Sequence, residues 1–407
     1  MATVTIDRLM AGGDGVGRLP DGMVVFIPRG APGDMIEVDI TERHRRFARG
    51  RIRRLVSEGP GRVAPACPHY LDDGCGGCQL QHLALPAQQE AKRTFVRDAL
   101  HRIAKRPDAA PELVPSGVAW RYRTKVTLAV REGRAGFHRY DAPQEVFGLH
   151  DCRIARESLM ALWGRVRATR LPSATTGIVL REDREGGMHV VVEGGEEPWR
   201  PDLGATANLD PPVSWWWRPR GGAARVVAGP RTGFPALAFE QSNPVVAGRI
   251  RADAVEALGS VRGAVAWDLY GGVGDTARLL AARGATVWSV DQDRTAVAWA
   301  EGRPGAGEGS VQFIASRVEE VLHRLPDPVA IVVNPPRIGL HQRVAAHLQR
   351  WGTQHAGATR VSYVSCDPAT LARDVARMPA FRLRDLRVYD LFPQTAHAET
   401  LAVLEAV

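Results

Sequence analysis

The sequence predicts a multidomain α/β protein with an N-terminal OB-type β-barrel, a central mixed β domain and a C-terminal doubly wound α/β domain. Three observations carry that prediction. Residues 1 to about 58 are short apolar runs between Gly-rich turns, residues beyond about 245 alternate strand-like and helix-like segments, and the stretch between holds four of the five cysteines. A length of 407 residues suits two or three domains, while 44% hydrophobic and 24% charged residues exclude a collagen-like, disordered or disulfide-scaffold chain.

In the first segment the runs VTIDRLM, MVVFIP, MIEVDI and FARGRIRRLV alternate with AGGDGVGRLPDG and RGAPGD, the turn chemistry of a small barrel. Seven arginines and no acid stand between Arg43 and Arg54, which on such a barrel is either a phosphate-contact surface or a solvated face. The cysteine-rich CPHYLDDGCGGCQLQHL follows, then an amphipathic helix from about Pro86 to Ile103. Residues 118 to 240 return to strands, among them WRYRTKVTLAV and GMHVVVEG. Trp215, Trp216 and Trp217 cannot all face one way, and core and interface packing is expected of them ahead of base stacking. From about 245 the segments AVAWDLY, TVWSVD, VQFIA, AIVVNPP and RVSYVSC alternate with helical stretches. That pattern predicts a parallel sheet binding its ligands beyond the carboxyl ends of its strands.

The formal charge of +8 points to a polyanion such as nucleic acid, although only three of 53 basic residues are lysine, an excess of Arg that a GC-rich genome also produces. No run of about 18 apolar residues occurs and MATVTIDRLM lacks the apolar core of a signal peptide, so the expected address is cytoplasmic, without membrane insertion. Five cysteines cannot all pair, and in a reducing compartment they serve metals or catalysis more often than disulfides.

Four segments carry chemistry. In AVAWDLYGGVGDTARLL a strand ends at Tyr270, and Gly271, Gly272 and Gly274 form a tight turn opening a helix, as nucleotide-type cofactors require. Gly272-x-Gly274-x-x-Ala277 also satisfies a loose dinucleotide fingerprint, and Asp291 closes the next strand where it suits ribose hydroxyls. In AIVVNPPRIGL two prolines stiffen the chain and place Asn334 at the sheet edge. Asn-Pro-Pro raises an adenine-amino methyltransferase, but Arg337 stands where the base-stacking aromatic belongs. In RVSYVSCDPATLARD, Cys366 precedes a helix whose N-terminus should lower its pKa. LFPQTAHAETLAVL adds His397 and Glu399 before a final strand.

Together these segments resemble the RNA uracil-5-methyltransferase family, whose patterns include Asp-Pro-Pro-Arg, Ser-Cys-Asn-Pro-x-Thr-Leu-x-Arg-Asp and Phe-Pro-x-Thr-x-His-x-Glu, in this order. The resemblance is essentially full length. It implies a TRAM domain over 1–58, a central Fe-S and RNA-binding domain over 59–240 and a Rossmann-like methyltransferase domain over 241–407, with helix 86–103 packing on the last. It implies S-adenosyl-L-methionine as cofactor, held by Gln241, Tyr270, Gly272, Gly274, Asp291 and Asn334, with Cys366 as nucleophile and Glu399 as base. Asn334 replaces the family's usual Asp, Asp291 a more common Glu and Gly271 a frequent Cys.

Cys67-x7-Cys75-x2-Cys78 with Cys152 supplies four thiolates, which by spacing suit tetrahedral zinc or a [4Fe-4S] cluster. The resemblance favours iron and sulfur. The expected substrate is 23S rRNA ahead of tRNA, and the chain is expected to act as a monomer. A catalytically inactive Fe-S assembly factor that binds RNA is the alternative, against which the presence of both Cys366 and Glu399 counts.

Overall fold

Alternation of apolar and polar residues builds the first sheet. The computed structural model describes residues 2–196, 199–201, 203–206, 208–305 and 307–407, which divide into two compact units. The first comprises Met1–Ala91, Gly117–Thr232 and Phe392–Ala396, the second Lys92–Ser116, Gly233–Leu391 and His397–Val407.

In the first unit, β1 (Ala2–Leu9), β2 (Gly15–Arg18), β3 (Val24–Ile27), β4 (Met35–Arg43) and β5 (Phe47–Ser57) close a barrel in the order β1-β2-β3-β5-β4. Val4 and Ile6 face inward, and a register shift between Ile6 and Arg8 turns Leu9 rather than Arg8 to the interior. Val25, Ile27, Ile36, Val38 and Ala48 complete the core.

The cysteine loop contains one short helix, α1 (Pro68–Leu71), and leads into α2 (Leu85–Arg102), whose residues from Lys92 belong to the second unit, as does β6 (Glu112–Val114). Next come β7 (Lys125–Arg131), β8 (Arg134–His138), β9 (Val146–Gly148), α3 (Glu157–Val166), β10 (Thr175–Glu182), β11 (Met188–Gly194), β12 (Val213–Arg218) and β13 (Arg225–Ala228). The strands form a sheet in the order β13-β12-β11-β10-β7-β8-β9, with α3 packed on its core through Leu159, Leu162 and Trp163. Trp215 and Trp217 are buried on alternate positions of β12, with Trp216 between them half-buried, so two of the three serve as core. Residues 120–124 are not a strand, contrary to expectation. Arg121 and Arg123 instead bond the 153–154 backbone through N–H groups, which shortens β7.

The second unit holds α4 (Pro244–Glu256), β14 (Val265–Leu269), α5 (Asp275–Ala282), β15 (Thr286–Asp291), α6 (Arg294–Glu301), β16 (Ser310–Ala315), α7 (Val318–Val321), β17 (Ala330–Val333), α8 (Gln342–Gln354), β18 (Arg360–Ser365), α9 (Pro368–Ala376), β19 (Phe381–Tyr389) and β20 (Glu399–Ala406). Every residue of β17 is buried, as a central strand covered on both faces must be. Val96, Ala99 and Leu100 of α2 join the same core as Trp267, Ile331 and Tyr363.

The sheet runs β16-β15-β14-β17-β18-β20-β19-β6. The expected parallel arrangement holds for every strand of this sheet except β20. Chain segment 390–398 turns β20 back between β18 and β19, antiparallel to both. Because of that reversal, the start of β20 lies beside the end of β18: Ser365 pairs with Thr400, one step from Cys366 and Glu399.

Candidate active site

The site grows from strand ends in the second unit. At the end of β14 the chain enters the left-handed region at Tyr270 (φ +62°), and Gly274 (φ +76°) caps α5. A Cβ on Gly274 would stand 2.6 Å from the Phe313 ring, so both backbone and space demand glycine there. Below the loop, the buried Asp268 accepts a hydrogen bond from Ser289 Oγ (3.1 Å). Burial pushes its carboxyl up to about 7, against hydrogen bonds from Ser289 and the Ala277 backbone. A Cβ at Gly271 would meet both Ser289 and Asp268, which accounts for glycine where the family often has cysteine.

Asp291 holds this loop from the neighbouring strand. Its Oδ2 accepts from Gly272 N and its Oδ1 from Asp293 N, both at 2.8 Å. Each oxygen keeps a lone pair for a ribose hydroxyl. Asn334, half-buried at the end of β17, donates its backbone N–H to Leu269 O (3.1 Å), fixing the Asn-Pro-Pro turn beside Tyr270.

Asp374 ties the other two segments together. Fully buried on α9, its Oδ2 accepts from Leu340 N (2.7 Å) and Tyr363 Oη (2.9 Å), while Arg373 Nη2 donates to Ile338 O (2.7 Å). The Arg-Asp pair that closes the cysteine motif therefore anchors the loop that follows Asn334. Asp367 caps α9 through Thr370 N (2.8 Å), which sets the turn carrying Cys366.

Cys366 is half-buried, and the structure corrects its expected acidity. Burial and the nearby Glu399 carboxylate push the thiol up to about 11, and Arg337 pulls the other way. Cys366 stands two residues before α9 begins, and the helix terminus does not outweigh burial and the carboxylate. Glu399 is 2% exposed, and burial pushes it up to about 8 against the same Arg337. Gln241 Nε2 donates to Glu399 Oε1 (3.2 Å), and Arg337 Nη2 lies 3.4 Å from His397 Nδ1. Asn243 caps α4 and donates to Leu391 O (2.9 Å), holding the segment that carries Gln241. Sequence reasoning gave no role to Asp374, which closes the cysteine motif but whose burial only the fold shows, nor to Phe239, which is 68% exposed two residues before Gln241.

In the first unit the four remaining cysteines gather. Cys67 and Cys78 are buried with Tyr70, Tyr122 and Ile154, and Cys152 packs against them. Burial pushes Cys75 up to about 11, with Cys152 and Cys67 adding to it. His69 spans the two cysteine segments, bonded through Nδ1 to Asp73 (2.6 Å) and accepting at Nε2 from His150 N (3.3 Å). Among the described residues, no three His, Cys, Asp or Glu side chains converge to hold a single metal ion. The arginine run is less bare than its sequence: Arg43, Arg49, Arg51 and Arg54 face Asp21, Asp14, Asp39 and Glu37. Those pairs are solvent-exposed and weak enough for phosphate to compete with them. Among the described residues, no helix is long and apolar enough to cross a membrane.

A doubly wound sheet with a glycine loop at its central strand, an acidic residue closing the next strand, and a thiol beside a buried carboxyl defines an S-adenosylmethionine-dependent methyltransferase. Residues 2–52 match the TRAM domain, and residues 309–407 match the tRNA (Uracil-5-)-methyltransferase family. An uncharacterised RNA methyltransferase of Corynebacterium efficiens is 34% identical over 98% of this chain and 94% of its own length. The 23S rRNA (uracil(1939)-C(5))-methyltransferase of Halomonas elongata is 30% identical over 99% of this chain and 89% of its own. The crystal structure of Pyrococcus abyssi tRNA (uracil-54, C5)-methyltransferase with S-adenosyl-L-homocysteine shares the fold at a TM-score of 0.73, with 24% identity and 99% of both chains covered. The chain belongs to the RNA (uracil-5-)-methyltransferase family.

Proposed function

We propose that this enzyme methylates carbon 5 of one uridine in 23S rRNA through a covalent cysteine adduct. The observation that carries the chemistry is the antiparallel register of β18 and β20, which brings Glu399 next to Cys366 under the shared influence of Arg337. Uracil carbon 5 is a poor nucleophile. Bonding of the Cys366 thiolate, the form that reacts, to carbon 6 drives the C5–C6 π electrons toward O4, as an enolate that the Arg337 cation steadies. S-adenosylmethionine, when bound, would supply the electrophilic methyl group for carbon 5, with S-adenosylhomocysteine as the leaving group. Glu399 then removes the carbon-5 proton, the C5–C6 double bond reforms, and the carbon–sulfur bond breaks to return the Cys366 thiolate. Gln241 orients the Glu399 carboxyl, and the exposed Phe239 ring offers a face to the flipped base.

The residues around the glycine loop suit S-adenosylmethionine: Gly272 and Gly274 admit close approach, Asp291 retains acceptor capacity, and Tyr270 and Asn334 flank the strand ends. Asn334 donates and accepts hydrogen bonds but carries no charge, so it orients without acting as a base.

The four thiols suit a [4Fe-4S] cluster in number and softness, within an apolar surround. Each thiolate of such a cluster ligates its own iron, so its donors need not converge on one point as those of zinc do. Iron and acid-labile sulfide analysis decides between the two, and zinc alone would overturn the cluster.

The choice of 23S rRNA rests on the Halomonas elongata relative, and tRNA is the competing substrate named for the Pyrococcus abyssi enzyme. Labelled methyl transfer to 23S rRNA and tRNA lacking 5-methyluridine separates them. Incorporation into 23S rRNA alone is the expected result, and incorporation into tRNA alone overturns that target.

A further inference from the structure

One arginine joins the barrel to the cysteine loop. Arg29 lies in the turn between β3 and β4, in the left-handed region (φ +64°). Its guanidinium is sandwiched between the rings of Tyr70 (3.9 Å to the centroid) and Tyr140 (3.8 Å). It donates to the Tyr70 carbonyl and, through Nη2, to Cys75 O (3.1 Å). Two ring faces and two carbonyls thus satisfy one cation.

Each side of this clamp is braced. On the barrel side, Arg62 Nη2 donates to Arg29 O (2.7 Å) and its Nε to Asp34 Oδ1 (2.9 Å). Asp34, fully buried, also accepts from Ala31 N (2.6 Å) and Gly59 N (2.9 Å), so the turn has little freedom. On the other side, Tyr70 is packed among Cys67, Cys78 and Cys152, with its hydroxyl on His82 Nδ1 (2.7 Å). Tyr140 N donates to Gly74 O (2.8 Å), and Gly76 N to His138 O (2.9 Å). The slot that takes Arg29 therefore exists only while residues 67–78 hold their shape. Apart from the four-residue α1, that loop has no regular structure of its own. A metal group held by the four thiols adds its binding energy to the fold of that loop.

We propose that Arg29 is a positioning residue through which occupancy of the four-thiol site seats the RNA-binding barrel, so that losing the bound group loosens the barrel and weakens RNA binding. This rests on the reading that the four thiols hold a metal group. The coupling acts on RNA and leaves S-adenosylmethionine binding alone, because the cofactor residues belong to the other unit.

The test uses the full chain as purified, with metal content and visible absorbance measured first. A protein with neither iron nor zinc overturns the thiol reading itself. Given a loaded protein, hydrogen exchange of residues 24–43, affinity for a 23S rRNA fragment and affinity for S-adenosylmethionine are compared across variants. Arg29→Met and Tyr140→Ala should keep full metal content, show faster exchange in the β3–β4 turn, and bind RNA about tenfold more weakly, with cofactor affinity unchanged. Tyr140→Phe should behave as wild type, since the clamp uses the ring. Arg29→Lys should fail to rescue, because an ammonium cannot span two carbonyls while lying flat between rings. Chelator-stripped wild type should reproduce the exchange pattern of Arg29→Met. If loaded Arg29→Met retains slow exchange and wild-type RNA affinity, the coupling is wrong.

Discussion

Cys78 is buried and Cys366 half-buried, and burial raises both thiols, yet their surroundings differ in kind. Around Cys78 the neighbours are Tyr70, Tyr122, Ile154 and other cysteines, a sulfur-rich apolar site whose thiols, on the proposed reading, lose their protons as a soft metal binds. Around Cys366 are a cation, Arg337, and a protonatable carboxyl, Glu399, at a sheet edge where a ligand can arrive. A cysteine's task is therefore set by what charge stands beside it and by whether the adjoining strands open onto a ligand, and burial alone does not distinguish the two.

The comparison breaks most sharply by removing each thiol. Cys366→Ala should lower methylation by on the order of 10⁴-fold or more while leaving metal content and melting temperature near wild type. Substantial residual turnover, measured with labelled cofactor, contradicts the nucleophile. Cys78→Ala should do the reverse in kind, losing the bound metal and costing roughly 4 kcal/mol or more in denaturant unfolding, since metal binding is folding energy. A metal-replete Cys78→Ala protein of unchanged stability would remove it from the ligand set.

Acidity sharpens the contrast further. As a base Glu399 must be ionised, so kcat/KM should climb as pH rises through about 8. Stability runs the other way: a carboxyl raised from 4.5 to about 8 favours the folded state below 4.5, and that contribution is lost as pH rises through 8. Glu399→Gln should therefore gain in melting temperature relative to wild type as pH goes from 4.5 to 8. A difference that stays flat over that window argues against the raised carboxyl.

Much of this was legible because the informative signals are local. The strands of the barrel, the glycine loop at Tyr270–Gly274 and the Cys366 and Glu399 segments are each contained in 15 residues or fewer. What escaped depends on partners distant in the chain. The return of β20 between β18 and β19 could not be read from an apolar run, and it alone explains why Glu399 meets Cys366. The acids facing the arginine run lie on other strands and turns of the barrel, so a stretch without acids is still largely neutralised. Cys366 was expected to be acidic from its helix, but that inference omitted the burial and the carboxylate that only folding supplies. Lys92, one of three lysines, gave no hint that it is fully buried, with Nζ 2.6 Å from Asp390 Oδ1.

The pairing of Cys366 as nucleophile with Glu399 as base is tested most directly by incubating Glu399→Gln with S-adenosylmethionine and substrate RNA, then resolving the products under denaturing conditions. The account predicts a stable protein–RNA complex in which mass spectrometry finds Cys366 joined to a methylated uracil, because carbon 5 cannot shed its proton. Free 5-methyluridine at the wild-type rate, with no adduct, would contradict it.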